Sequence, residues 1–199
     1  LEWYYHDASM LSIAYFNKRI DDWIVRTKAT EIFALATSPY TDFQVERPRN
    51  IERADIEGIE VNWIHSFENG LGFHANATFV DSNAELGADS TFALEGLSNT
   101  ANLVVFYENE TLQIRLAYNL RDEFLQHTFW QWSREPVYVG AYKQLDFRVD
   151  YHINHYLSLF IEGTNLTDEK LNKYGRDRSQ FLEFSETGPR YALGFRASF

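Results

Sequence analysis

His152 and His155 form the chain's single His-x-x-His pair, a spacing that on a helix could begin a metal site. On a strand or tight turn it does not put both imidazoles on one face, and no third ligand lies nearby in the sequence. The absence of cysteine excludes thiolate ligands and disulfides. Asp146 and Asp150 could serve as a carboxylate pair for acid–base work. Four residues along a strand set them roughly 13 Å apart, too far for a catalytic dyad unless other strands contribute. Arg148 lies between them on the same face, so the three form a ladder of alternating charge. No Gly-x-Ser-x-Gly elbow occurs, and His65, His74 and His127 have no local partners. We expect no catalytic residue, no cofactor-binding residue and no metal ligand, and the sequence assigns no substrate-binding residue. Phe129, Trp130 and Trp132 could stack on a ligand ring, but tryptophans at a strand end more commonly mark a membrane interface.

Composition narrows the classes further. With 18 Lys+Arg against 29 Asp+Glu, the net charge is −11, which argues against a nucleic-acid partner. No apolar run approaches the roughly 18–20 residues of a membrane-spanning helix. Spanning strands leave no such run, so this excludes nothing about a barrel. Aromatic residues make up 17% of the chain, with 12 Tyr and 16 Phe, and favour β structure. No signal segment opens the sequence, and Leu1–Tyr5 already has strand character, so we expect a fragment.

The elements that would position these residues follow period two. Leu112, Ile114, Leu116, Tyr118 and Leu120 fall on one face, with Gln113, Arg115, Ala117, Asn119 and Arg121 on the other. Leu145–Tyr151, Phe73–Phe79 and Tyr191–Phe199 alternate likewise, and Leu11–Tyr15, Ile59–Trp63 and Leu157–Ile161 more loosely. Leu103–Tyr107 is apolar on both faces. With Leu1–Tyr5 this predicts about nine strands. Short links near Asp7-Ala8-Ser9, Asn69-Gly70-Leu71, Asn109-Glu110 and Asn154-His155 carry turn-forming residues. They alternate with long links at about 21–50, 83–99, 123–136 and 167–188. An up-and-down meander then has all its short turns at one end and all its long links at the other, as outer-membrane barrels do.

Three stretches match a known family. Asp55-Ile56-Glu57-Gly58-Ile59-Glu60-Val61 resembles the small-residue x-Gly-hydrophobic-Glu strand of TonB-dependent receptors. Phe160 to Asp168, with Asn165-Leu166-Thr167-Asp168, resembles their Asn-Leu-x-Asp element in the penultimate strand. Gly188-Pro189-Arg190-Tyr191 through Phe199 is similar to their closing strand with its aromatic terminus. One departure is that Glu169, Lys170 and Leu171 follow the Asn-Leu-x-Asp element, so that the next aromatic is Tyr174.

The fold expected is all-β, an antiparallel up-and-down meander of about nine strands within a larger transmembrane β-barrel. The resemblance implies that residues 1–199 are the C-terminal portion of a receptor barrel, with the plug domain and N-terminal strands absent. It implies energy-coupled uptake of a scarce nutrient such as a siderophore, haem, cobalamin or an oligosaccharide, and no enzyme activity or cofactor. The implied location is the outer membrane of a Gram-negative bacterium. The implied partners are outer-membrane lipid, a small-molecule ligand, a TonB-type coupling protein acting through the missing N-terminal region, and the barrel assembly machinery, which would read Phe199. A passive porin shares every strand feature. A soluble β-sheet carbohydrate-binding protein would show the same alternation with its apolar face in a core.

Overall fold

The computed structural model describes residues 1–34, 41–85, 91–92, 94–128 and 135–198. Phe129, Trp130, Trp132 and the terminal Phe199 lie outside that set. Fourteen strands occur among the described residues. They are β1 (Glu2–His6), β2 (Ser9–Ile32), β3 (Asp42–Ser66), β4 (Leu71–Glu85), β5 (Thr91–Phe92), β6 (Thr100–Glu108) and β7 (Leu112–Arg121). After them come β8 (Phe124–His127), β9 (Val137–Val139), β10 (Tyr142–Asn154), β11 (Leu157–Thr164), β12 (Lys170–Tyr174), β13 (Phe181–Glu186) and β14 (Arg190–Ala197).

Nine of these form one antiparallel wall in the order β1-β2-β3-β4-β6-β7-β10-β11-β14, with β5 added beside β4. They are the nine segments predicted from alternation or from β-branched and aromatic content, paired in chain order. β1 and β14 stand at opposite ends and do not pair, so the wall is open. The short turns are set by their own side chains. Asn109 Oδ1 accepts from the backbone N–H of Thr111 (2.9 Å) and Leu112 (2.8 Å), and Asn154 Oδ1 does the same for Tyr156 and Leu157. Gly70 (φ 84°) takes the left-handed position of the β3–β4 turn.

Among the described residues the long links carry strand as well as loop. Residues 21–50 are largely strand: β2 and β3 stay paired out to Ile32↔Asp42, extending the hairpin far past the wall. The stripe of Leu11, Ile13 and Tyr15 gives way to Asn17, Arg19 and Asp21 at the same positions of the repeat, so period two no longer announces the strand beyond them. The links at 121–142 and 164–190 pair with each other as a second sheet, β13-β12-β9-β8. Its strands have few residues, and the pairing that joins β9 to β12 (Val139↔Lys173) links residues far apart in sequence, so no local pattern announces the sheet. The β4–β6 link joins the same rim, where Gly96 N–H donates to Leu125 O (2.8 Å) and Glu95 accepts from Thr128.

Buried hydrophobic residues are few among the described residues: Ala54, Leu94, Leu125, Val137, Val139 and Tyr174. All belong to the rim, none to the apolar face of the wall. Ile20, Ile56 and Leu97 pack on Ala54 and Leu94, joined by the odd-numbered Trp23 and Val25 because Asp22 (φ 56°) interrupts the alternation. The accessible surface is 13939 Å², against roughly 9,700 Å² for a globular chain of this mass. An apolar face left uncovered at this scale calls for a solvent other than water.

Candidate functional site

Strand register assigns every side chain of the wall to a face. On one face Trp3, Leu11, Trp63, Ala75, Leu103, Tyr118 and Leu145 share a rung. Tyr15, Ile59 and Phe79 make the last apolar rung of β2–β4, and the next on that face is Asn17–Glu57–Asp81. Tyr15 OH and Asn17 both donate to Glu57, which marks the boundary between apolar and wet surface. Along β4 this apolar face runs from Leu71 to Phe79, roughly 27 Å at about 3.4 Å per residue. Tilted, it matches a barrel's apolar band of about 25 Å. The tilt is visible in one rung, His65–Phe73–Val105–Leu116–Phe147–Gly163–Tyr191. It starts beside a short turn and ends at the opposite end of β14, as strands inclined to a barrel axis require. Aromatics gather near the short turns, where Trp63 donates to Tyr5 OH (2.8 Å) and meets Phe73 edge-on.

The opposite face is polar and carries the candidate site. Ser12, Asn62, Asn76, Asn102, Asn119 and Gln144 occupy one rung across six strands. Asn102 donates to Asn76 (2.8 Å), Asn62 bonds His74 (2.6 Å), and Gln144 links Tyr142 to Asp146. A charged rung lies nearer the short turns. Arg148 clasps Asp150 through two bonds (2.7 and 2.8 Å), reaches Glu162 (2.7 Å) and lies over the Phe160 ring. This corrects the ladder expected from sequence. Asp146 takes no part in it and instead accepts from the Asn165 backbone N–H (2.8 Å) and from Gln144. His152 bonds Ser158, while His155 packs on Tyr156, so the two histidines are engaged separately.

Two of the motifs are explained by local packing. Gly58 lies opposite Phe16, whose ring fills the space a side chain would need; Gly72 faces Phe106, Gly163 faces Phe147 and Gly194 faces Phe160 in the same way. Asn165 is buried in the left-handed conformation (φ 57°), holding Glu169 by its N–H (2.8 Å) and its carbonyl (3.1 Å). Thr167 Oγ1 donates to Lys143 O (2.9 Å). The Asn-Leu-Thr-Asp element thus pins the end of β11 to β10 and turns the chain into β12. Tyr174, the delayed aromatic, is buried and stacks on Tyr138.

A family model described as "TonB dependent receptor-like, beta-barrel" matches residues 1–166. The chain belongs to this family. A TonB-dependent receptor sits in the outer membrane of a Gram-negative bacterium, and the family comprises transport receptors and not enzymes. The apolar face of the wall therefore meets lipid, and the polar face lines the receptor's lumen. Among solved structures the chain resembles a mutant of the ferric enterobactin receptor of Pseudomonas aeruginosa, with a TM-score of 0.69 at 16% identity. It also resembles the siderophore receptor PirA of Acinetobacter baumannii, with a TM-score of 0.64 at 18% identity. Each likeness covers 98% of this chain and 30% of the other, so the chain spans about a third of the receptors it matches. Among curated proteins nothing matches.

Proposed function

We propose that residues 1–199 are the C-terminal portion of a receptor barrel that imports a siderophore-type iron complex across the outer membrane, driven by a TonB-type coupling protein. The observation that carries this reading is the likeness of almost the whole wall, with its rim, to two siderophore receptors. The knitted rim of β8, β9, β12 and β13 is the surface a solute meets first. The lumen face below offers amides and the paired charges of Arg148, Asp150 and Glu162. The coupling protein acts through the N-terminal region of the full receptor, and the assembly machinery reads Phe199.

The test is accumulation of ferric enterobactin by cells carrying the full-length gene, with and without the coupling protein. Accumulation that depends on the coupling protein is expected. Equal accumulation in both strains makes the protein a passive porin, and none in either moves the ligand to another class of nutrient.

A further inference from the structure

The short turn between β3 and β4 holds the chain's single Asn-Gly step, Asn69-Gly70. The fold requires that glycine. Gly70 takes the left-handed position (φ 84°), and a Cβ there would overlap the Glu108 carbonyl oxygen of β6. Its own carbonyl accepts from the Glu108 N–H (2.8 Å). The same requirement leaves Asn69 vulnerable, because a neighbour without a side chain keeps its backbone nitrogen open.

The groups that would react are already side by side. Asn69 is exposed, and its Oδ1 accepts from the Leu71 N–H (3.2 Å), which keeps the side-chain carbonyl against the backbone of its own turn. That donor also stabilises the charge that gathers on Oδ1 when the carbonyl is attacked. The Gly70 N–H is tied only by a long bond to Phe67 O (3.2 Å). Asn109 and Asn154 occupy two of the other short turns but are followed by Glu110 and His155. Each lends its Oδ1 to two backbone N–H groups, and Asn109 Nδ2 also donates to Tyr107 OH (2.9 Å).

We propose that Asn69 is a spontaneous modification site, at which the folded receptor loses an amide. The Gly70 nitrogen gives its proton to solvent and bonds to Asn69 Cγ. The Cγ–Nδ2 bond breaks, and the nitrogen takes up a proton and leaves as ammonia. Water then opens the cyclic imide at either carbonyl, giving aspartate or isoaspartate. Isoaspartate lengthens the backbone by a methylene, removes the acceptor of the Leu71 N–H and adds a charge beside Glu68. The β3–β4 turn therefore loosens with the age of the protein.

The test is peptide mapping by mass spectrometry of the purified full-length receptor, held folded in detergent and sampled over time. Asn69 should convert at least about tenfold faster than Asn109 or Asn154, since only its neighbour lacks a Cβ. The rate should rise with pH, because the attacking nitrogen must first lose its proton. The product should be labelled by an isoaspartyl methyltransferase, and the Leu71 and Glu108 amides should exchange faster in the aged protein. N69Q, whose longer side chain disfavours the ring, should keep its mass. Equal conversion in all three turns would leave exposure alone as the cause and overturn the proposal. An Asn69 that keeps its amide until the receptor is unfolded in denaturant would overturn it too.

Discussion

Single residues hold this wall together at points where a side chain is absent or buried. Gly72 accommodates the Phe106 ring from the neighbouring strand, and a methyl group there would overlap ring and backbone. Gly72→Ala should destabilise the full-length barrel by about 1–3 kcal/mol, the usual cost of overpacking. Adding Phe106→Leu should recover part of it, as read from denaturant unfolding in detergent. No recovery would mean that the backbone, and not the ring, sets the limit. Asn165 presents the converse case, a buried amide whose oxygen and nitrogen both bond Glu169. Asn165→Ala leaves those backbone groups unpaired at a cost of about 1–3 kcal/mol. It should loosen the entry to β12, seen as faster hydrogen exchange at Glu169–Tyr174 than at the short turn around Asn109.

Each strand of the wall presents a lipid face and a lumen face, and register makes that assignment testable on β7. A Cys replacing Ile114 should react with a lipid-soluble probe in membranes, and a Cys replacing Arg115 with a water-soluble one. Ile114→Arg should cost roughly 2–4 kcal/mol if it lies near the bilayer midplane. The reverse labelling pattern would mean that the apolar face packs on protein. The β2–β3 hairpin runs well beyond the last apolar rung, and its outer part is fastened by Glu31, which accepts two bonds from Arg47 (both 2.9 Å). The Arg47 guanidinium holds the Glu31 carboxyl below the usual carboxylate range. A depressed acid contributes its stabilisation above the unfolded-state pKa and loses it as pH falls through the folded one. Acidification through that window should therefore open the hairpin tip in the wild type. Glu31→Gln should show an already loosened tip with no such step, measured by spin-label distances across Thr30 and Gln44. An identical acid transition in both would assign it to other groups.

At the scale of the molecule, β1 and β14 each pair with a single neighbour and stand at opposite ends of the wall. Deleting Phe199 should lower the outer-membrane level of the full-length receptor far more than substituting the rim residue Ser179, measured by quantifying both in isolated outer membranes. Equal levels would remove Phe199 as an assembly signal. The nine strands and their order were legible in the sequence because most alternate with period two, Leu103–Tyr107 showing itself by β-branched and aromatic content instead, and because turn residues act locally. Leu112–Arg121 and Leu145–Tyr151 needed nothing more. Other features depended on pairing between residues distant in the chain. The second sheet joins its two links through Val139↔Lys173 and Tyr138↔Tyr174, residues distant in the chain. The carboxamide rung exists only once six strands share one register. The partnering of Arg148 with Glu162 arises because adjacent strands place those side chains side by side. Sequence determines which way each side chain points along its own strand; tertiary structure decides what it meets, because contacts across a sheet are fixed by register, and register is a property of neighbouring strands together.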